Sequence, residues 1–378
     1  MVRTHTPQWC SHFAGLNDPR VERTKLHKLL DIVFIALCAT VSGANDFVGM
    51  AKFGSSKKAW LEKYLELPNG IPSDDTFRRV LSALDAAAFV GCFLSWVEDL
   101  QEATAGRVIS IDGKTARATL DRAKGKNPLH VVSAWAAQNR LVLGQEVVAE
   151  KSNEITAIPK LLEVLELAGA IVTIDAMGCQ KEIVAKIRAK GADYVLAVKG
   201  NQEHLEEDVL EAFAAVDEGT AAQQPRRCQA SDARHGRQET RICEVLPVPG
   251  GLRHAEDWQD LRCICRVTRR YREREDEKSE VRYFISSLKP NAKVLAHAIR
   301  EHWGVENGLH WVLDMYFGED RSRARTDHAA ANLAMLRRWV LSLLRQNQDV
   351  PGSVEKKRLQ AAWNDEAREQ LLGLFIGN

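Results

Sequence analysis

The sequence lacks the long apolar segments that would place it in a membrane. The longest apolar run, Ile32–Val41, has ten residues, whereas a transmembrane helix needs about 20. The chain also lacks a basic and apolar leader followed by a small-residue cleavage site. We therefore expect a cytoplasmic protein with no membrane partner.

The sequence also lacks the cysteine spacing of a zinc site or a disulfide framework. Its eight cysteines are scattered without any C-x-x-C pair, and the closest two, Cys263 and Cys265, alternate along one face of a predicted strand. Small buried hydrophobic side chains are the expected role for most of them.

A strong net charge is absent too. The chain carries 52 basic and 51 acidic residues, a formal charge of +1, so it has no overall attraction for nucleic acid. Locally, residues 226–241 hold five arginines against two acids, and residues 262–282 hold eight basic residues against five acids. Arg321, Arg323 and Arg325 alternate in one short stretch. Each run alone is typical of a solvated face, but together they favour phosphate contacts.

The first part of the chain is predicted to be all helical. Residues 1–24 show no period and are expected to form a flexible lead-in. From Lys25, apolar residues recur at steps of three and four, and the pattern continues to about residue 105. Residues 1–105 are therefore interpreted as a helical N-terminal domain, which could bind DNA or serve only as a packing module.

Two apolar strands then end on an aspartate. The run from Val108 to Ile111 leads to Asp112, and the run from Ala170 to Ile174 leads to Asp175. The element order is β-β-β-α-β-α-β-α, and right-handed crossovers place these two strands side by side and parallel. Ligands gather at the carboxyl ends of such strands. Although a single aspartate there is more often a turn former, the pair predicts a site for divalent metal.

The second half of the chain departs from this alternation. Residues of about 217–288 are predicted to be a β-rich insertion within a catalytic domain spanning 106–348. A long helix is expected from Asn291 to about Tyr316, another covers 326–345, and residues 349–378 form a polar tail.

The long helix supplies a third acid. Steps of three and four place Ile299, Trp303, Glu306, His310 and Leu313 on one stripe. A carboxylate on such a stripe is predicted to face the interior, where it needs a cation. Spacing alone does not exclude the later acids Asp314, Glu319 and Asp320, of which the last two are expected to pair with arginines in a loop.

Four ordered motifs carry a resemblance to a known family. IDGK, IDAMG, YVLAVKGNQ and HWGVENGLHWVLDMYFGED resemble the DDE transposases of the H-repeat-associated, ISAs-type insertion-sequence group, and the match runs from about Pro19 to Leu344. The resemblance implies an α/β catalytic domain with a ribonuclease-H-like mixed sheet and flanking helices, which cuts and rejoins DNA. It places the D, D and E of that family on Asp112, Asp175 and Glu306. It also implies two Mg²⁺ ions, for which Mn²⁺ substitutes, and a homodimer in the active complex.

The chain departs from the wider clan of these enzymes beside the glutamate. Ile299, His302 and Leu313 stand where the clan has tyrosine, arginine and lysine, so other residues must grip the DNA. The expected DNA-contacting residues share a position near one of the three acids or in the arginine-rich loop: Lys114, Lys199, Asn201, Gln202, His310, Arg321, Arg323 and Arg325. For two of these a plainer role stays open, because Asn201 could simply cap a helix and His310 could be a packed histidine.

Two rival functions remain beside the transposase. One is a domesticated or inactive copy that binds DNA without cutting it. The other is a Mg²⁺-dependent phosphatase, which IDGKT resembles, but the position of its nucleophile is occupied by Ser110.

Overall fold

A nine-stranded mixed sheet forms the centre of the molecule. The computed structural model describes residues 8–100, 107–148, 153–234, 237–273 and 276–374. The order across the sheet is β3-β2-β1-β4-β5-β9-β8-β7-β6, with these bounds: β1 Val108–Ala116, β2 Leu129–Ala136, β3 Leu141–Val147, β4 Ile171–Ile174, β5 Asp193–Val198, β6 Arg226–Arg234, β7 Arg237–Pro247, β8 Cys263–Glu273 and β9 Asp276–Ser286. The predicted α/β class, with a mixed sheet and flanking helices, is confirmed.

Strand β1 is the middle strand of the part of the sheet formed by β1–β5. It pairs antiparallel with β2 from Ile109 to Ala116 and parallel with β4 only from Val108 to Ile111. The parallel arrangement of the two aspartate-bearing strands is therefore as predicted. The prediction that Asp112 ends its strand is wrong, because β1 stays paired with β2 as far as Ala116. Only the parallel pairing with β4 ends just before Asp112.

The β-rich insertion is a continuation of the same sheet. Strand β9 returns antiparallel to β5, pairing Val195 with Ser286 and Val198 with Tyr283. Strands β8, β7 and β6 then follow by successive antiparallel pairing. The sequence indicated three of these four strands. It missed β6, RRCQASDAR, whose polar composition shows no apolar alternation.

The N-terminal region is helical, as predicted. Its helices are α1 Gln8–Ser11, α2 Leu29–Val41, α3 Phe47–Ser56, α4 Lys58–Leu61, α5 Asp74–Ala83 and α6 Ala86–Leu100. Ser73 caps α5 by accepting a hydrogen bond from the backbone N–H of Thr76. The bounds predicted around residues 101–106, like residues 1–7 of the lead-in, lie outside the described part.

The expected flexible lead-in is wrong around Trp9 and Phe13. Trp9 and Phe13 are buried, and both rings contact Trp339, with centroids 5.2 and 4.2 Å away. Two isolated aromatic residues give no helical period, so the sequence did not reveal this packing. The helical region thus shares its hydrophobic core with the sheet-bearing region.

The remaining helices cover the sheet and extend the helical region. They are α7 Glu154–Val164, α8 Lys181–Ala189, α9 Glu203–Asp217, α10 Ala292–His302, α11 Trp311–Phe317, α12 Ala329–Gln346, α13 Val354–Trp363 and α14 Asp365–Leu372. The predicted tail therefore contains two helices. They are joined to α2 through Arg358, whose guanidinium donates to the carbonyl of Thr40.

The long helix predicted over Asn291–Tyr316 is divided. Helix α10 ends at His302, a π-helical turn spans Glu306–His310, and α11 follows. Gly304 and Gly308 lie in the interrupted part, where glycine weakens a regular helix. Gly308 also packs against the Trp135 ring, where a Cβ would lie 3.3 Å from Cζ2. The interruption changes the directions of the Glu306 and His310 side chains from those expected for one regular helix.

Among the described helices, none taken singly combines the length and apolar character needed to cross a membrane. Helices α5 and α6 meet that test only when they are joined, and they are bent by 89°.

Candidate metal centre

Asp112 lies on β1 at the point where the parallel ladder ends. Ile111 pairs with Ile174, so Asp112 and Asp175 are the next residues along two adjacent strands. The side chain of Asp112 is 17% exposed, and Oδ1 accepts a hydrogen bond from the Gly113 N–H at 2.9 Å. The pKa of Asp112 is raised to about 6, mainly by burial; the His310 ring opposes this rise, and the negative charges of Glu306 and Asp175 add to it. The negative charge of the Asp112 carboxylate is therefore poorly neutralised without a cation.

Asp175 is held by the turn that follows β4. Its Oδ1 accepts hydrogen bonds from the N–H groups of Met177 and Gly178, at 3.0 and 3.4 Å. These bonds fix the carboxylate at the sheet edge. Burial raises the pKa of Asp175, and the carboxylate of Glu154 raises it further.

Glu306 begins the π-helical turn. Its side chain is 70% exposed, so the prediction that it faces the interior is wrong. The prediction assumed one continuous helix, whereas the break after His302 turns residue 306 outward. The pKa of Glu306 is lowered, first by its interaction with the His310 ring. An exposed and ionised carboxylate beside Asp112 is nevertheless well placed to complete a metal site.

His310 joins two of the acids. Its ring is buried, and Nδ1 lies 3.6 Å from Oδ2 of Asp112 and 3.8 Å from Oε2 of Glu306. One ligand atom from each of these three side chains lies within 4.8 Å of the others. Carboxylate oxygens with one imidazole nitrogen are a donor set that divalent cations accept. The residues therefore fit a metal ion at this position.

Lys114, two residues after Asp112, is committed to an internal ion pair. Its amine is buried and donates to Asp314 at 2.8 Å, and it also lies 3.5 Å from Asp320. The pairing expected for Asp320 thus involves Lys114 and, more weakly, Arg117 at 3.9 Å. Glu319 is buried in an ion pair with Arg338 of α12, rather than pairing within the arginine-rich loop.

His302, which the resemblance places where the wider clan has arginine, is partly buried. Its Nδ1 lies 3.0 Å from the hydroxyl of Thr173, which donates to Ser110 at 3.2 Å. Burial lowers the pKa of His302 to about 4. The ring is therefore neutral at pH 7, and its hydrogen bond to Thr173 holds it against β4.

The other predicted DNA-contacting residues fall into two groups. Lys199, Arg321 and Arg323 are exposed, and Lys199 is close enough to Asp175 to lower its pKa. The side-chain amides of Asn201 and Gln202 instead donate to the carbonyls of Ala176 and Cys179, so they brace the turn that holds Asp175.

Arg325 and two arginines of β8 have partners within the protein. Arg325 donates to the carbonyl of Ala118. Arg269 pairs with Glu239 at 2.8 Å, and Arg266 pairs with Asp217 and Glu244. For these side chains the solvated-face interpretation of the basic runs fits better than a phosphate track.

A cavity of about 930 Å³ lies between strands β6–β9 and α10. Its wall includes Glu306, Trp303 and Arg282, whose guanidinium lies 4.1 Å from the centre of the Trp303 ring. The cavity therefore opens beside the candidate metal site, and its wall combines an aromatic ring with both basic and acidic side chains.

Sequence reasoning missed a polar chain on the opposite face of β1. Thr115 Oγ1 lies 2.7 Å from His130 Nδ1, and His130 Nε2 lies 2.8 Å from Glu154 Oε1. The pair occupies the space above Gly113, where a Cβ would lie 2.1 Å from Glu154 Oε1. A glycine directly after Asp112 was the only signal in the sequence, and it was interpreted as the end of a strand.

Comparisons with known proteins cover nearly the whole chain. A family model described as transposase DDE domain matches residues 103–343, and a model described as DDE_Tnp_1-associated matches residues 10–97. The chain is 42% identical to "Putative transposase YncI" of Escherichia coli O157:H7, covering 96% of this chain and 93% of that protein. It is 37% identical to "H repeat-associated putative transposase YhhI" of Escherichia coli strain K12, covering 97% of each.

Among solved structures, one shows a weak likeness to this chain. It is the cryo-EM structure of the piggyBac transposase synaptic complex with hairpin DNA, with a TM-score of 0.45 and 10% sequence identity. The likeness covers 97% of this chain and 77% of that one.

Proposed function

Because the chain belongs to the DDE transposase family, we propose that it cuts DNA at the ends of its own insertion element and joins those ends to target DNA. The observation that supports this proposal is the register of β1 and β4, in which Ile111 pairs with Ile174, so that Asp112 and Asp175 directly follow paired residues on adjacent strands. Glu306 and His310 approach Asp112 from the helical side.

The metal would be Mg²⁺, or Mn²⁺ in its place, held by Asp112, Asp175 and Glu306. Two such ions, when bound, stabilise the attacking and leaving oxygens of an in-line displacement at phosphorus. Mg²⁺ keeps several water ligands and takes few from protein, so three carboxylates suffice for two ions that also bind the phosphate. The raised pKa of Asp112 comes first from burial and then from the charges of Glu306 and Asp175, and a bound cation would offset both effects.

The rest of the site positions the reacting strand. The turn after β4, braced by Asn201 and Gln202, fixes the carboxylate of Asp175. Lys199, Arg321 and Arg323 are exposed beside these elements and would neutralise DNA phosphates. The cavity at Glu306 and Trp303 gives a DNA strand a path to the acids. Lys114 acts through its ion pair with Asp314 and not through DNA.

The active complex would contain two copies of the chain. Each copy contributes one set of Asp112, Asp175 and Glu306, and an insertion element has two ends to be cut and joined together. Mass photometry of the protein with end-containing DNA should show two protomers on two ends.

The experiment is a nicking assay on end-labelled DNA that carries the element's own terminal sequences. We expect cleavage with Mg²⁺ or Mn²⁺, none with EDTA, and none with Asp112→Asn or Asp175→Asn. An aspartate variant that folds and still nicks would overturn the proposed site.

The second candidate function is DNA binding without cleavage. One relative, 37% identical over 71 residues, is named "Inactive transposase YbfQ". The presence of all three acids in this chain favours the cutting enzyme. DNA binding together with no cleavage by the wild-type protein, in either metal, would instead support the binding function. The phosphatase alternative is disfavoured because Ser110 is fully buried and donates to the carbonyl of Glu301.

A further inference from the structure

His310 has an unusual environment for a histidine within a helix. Its ring is 7% exposed, yet Nδ1 faces two carboxylates and not the carbonyls or apolar atoms of a core. Within the described residues, its Nε2 has no hydrogen-bond partner. The ring is therefore held by packing, with its polar edge directed towards Asp112 and Glu306.

The distances suit shared coordination better than hydrogen bonding. An N–H···O hydrogen bond has a donor–acceptor distance of about 2.7–3.2 Å, whereas Nδ1 is 3.6 and 3.8 Å from the two carboxylate oxygens. Ligands about 2.1 Å from one ion lie roughly 3 Å or more from each other. The three donor atoms need only small movements to converge on one cation.

The local backbone supports this arrangement. Glu306 and His310 are the first and last residues of the π-helical turn, so both side chains project from one side of it. Such turns occur frequently at functional sites because they redirect side chains within a helix. Gly308, in the middle of the turn, packs against Trp135 of β2 and brings the turn against the sheet that carries Asp112.

We propose that His310 is a protein ligand of the metal ion bound by Asp112 and Glu306, through its Nδ1 atom. This inference rests on the proposed metal-dependent function, and it adds a nitrogen donor to the three acids. The proton of the neutral ring then lies on Nε2, which leaves the Nδ1 lone pair free for the metal.

The chemistry of the donor set predicts a metal preference. Mg²⁺ favours oxygen ligands, whereas imidazole binds transition metals more readily. His310 should therefore strengthen binding of Mn²⁺ much more than binding of Mg²⁺. The alternative is that protonated His310 is a counter-ion that the metal displaces, and in that case it would contribute no bond to the ion.

The test uses pulsed electron paramagnetic resonance on the full-length protein loaded with Mn²⁺ below one equivalent. A directly bound imidazole gives a ¹⁴N modulation that carboxylates and water do not. We expect this modulation in the wild type, its loss in His310→Gln, and its retention in His297→Gln. His297 is exposed on α10 and provides a matched histidine control. Circular dichroism melts verify that each variant is folded.

Calorimetric titration with Mn²⁺ and with Mg²⁺ gives a second readout. His310→Gln should weaken Mn²⁺ binding by about tenfold or more, the scale on which even outer neighbours of a metal site act. The affinity for Mg²⁺ should change much less. Equal losses for the two metals would contradict a nitrogen ligand.

Asp112→Asn separates this inference from the proposed function. If Mn²⁺ binding depends on Asp112 but shows no ¹⁴N modulation, the ligand assignment is overturned while the metal site stands. If modulation persists in His310→Gln, another histidine is the ligand. If Mn²⁺ does not bind, or binds independently of Asp112, both the assignment and the proposed site fail.

Discussion

Lys114 donates a 2.8 Å hydrogen bond to Asp314, joining β1 to helix α11. The lysine side chain is 8% exposed and that of Asp314 is 31% exposed, so the pair is largely removed from solvent. Asp112 lies two residues before Lys114 on β1, and Glu306 and His310 lie in the turn directly before α11. The ion pair thus holds the turn that carries Glu306 and His310 against the strand that carries Asp112.

Lys114→Met should therefore destabilise the protein and loosen the site together. Breaking a buried ion pair leaves an uncompensated charge and costs about 3–5 kcal/mol, and the partial exposure of Asp314 reduces the expected loss to roughly 1–3 kcal/mol. The free energy of unfolding from urea denaturation measures this loss.

Lys181→Met is the matched control. Lys181 pairs with Asp257 at 2.6 Å, but both side chains are about half exposed, and such pairs contribute little. If the two substitutions lower stability equally, the Lys114 pair has no special structural role.

The parallel pairing of β1 with β4 could be predicted because both strands are visible in the sequence. The apolar runs before Asp112 and Asp175 are short and β-branched, and crossover handedness then leaves one arrangement for them. The attachment of β6–β9 to β5 could not be predicted, because strand pairing between distant segments leaves no period in the sequence. The burial of Trp9 and Phe13 depends on Trp339, more than 320 residues away, and is equally invisible locally.

The sequence indicates the three acids as candidates more readily than it indicates their surroundings. Asp112 and Asp175 are expected together from strand order, and Glu306 from the helical stripe and from the resemblance. The exposure of Glu306 was mispredicted because helical periodicity assumes a regular helix, and the π-helical turn breaks it. The roles of Lys114 and His302 depend on partners from other elements, namely Asp314 and Thr173, which no local pattern identifies.

The stability of the metal-free protein should fall as pH rises from about 4 to 6, through Asp112. Its pKa is raised to about 6 in the folded protein, above about 3.9 in the unfolded chain. The folded state therefore binds the proton more tightly, and ionisation disfavours folding. This difference of about two in pKa corresponds to about 2–3 kcal/mol of unfolding free energy. It is an upper value, because Glu306 and Asp175 also interact with Asp112.

Asp112→Asn should remove that dependence. In EDTA, the variant should be as stable as the wild type near pH 4 and more stable above pH 6, while DNA cleavage is lost. Urea denaturation across this pH range measures the difference. A variant that is less stable than the wild type at pH 7 would show that repulsion and burial do not govern this carboxylate.

DNA binding should weaken steeply with salt, because it depends on a few local charges and the net charge is only +1. Each phosphate contact contributes about −0.9 to the slope of log affinity against log salt. Arg321 and Arg323 are exposed, so replacing both with glutamine should make the slope shallower by about 2. Adding Arg325→Gln should change it less, because that side chain donates to Ala118.

Lys289 and Lys293 provide a control for the salt experiment. Both are exposed, and they follow β9, whose last residue, Ser286, pairs near the start of β5. They therefore lie at the sheet edge opposite the acids. Replacing both with glutamine should leave the slope nearly unchanged, and an equal loss in the two double variants would point to non-specific attraction.

The final prediction concerns which acid on the helical side is essential. Glu306 lies 3.8 Å from His310 and shares its candidate metal site, whereas Asp314 is bound to Lys114. Glu306→Gln should therefore abolish Mn²⁺-dependent cleavage as completely as the aspartate variants, with little change in stability because its side chain is 70% exposed. Asp314→Asn should keep part of the activity and lose stability, since the amide cannot neutralise Lys114. Cleavage rates and urea denaturation of both variants distinguish the two roles. If Glu306→Gln cleaves normally and Asp314→Asn does not cleave, the third acid is Asp314, two helical turns after Glu306.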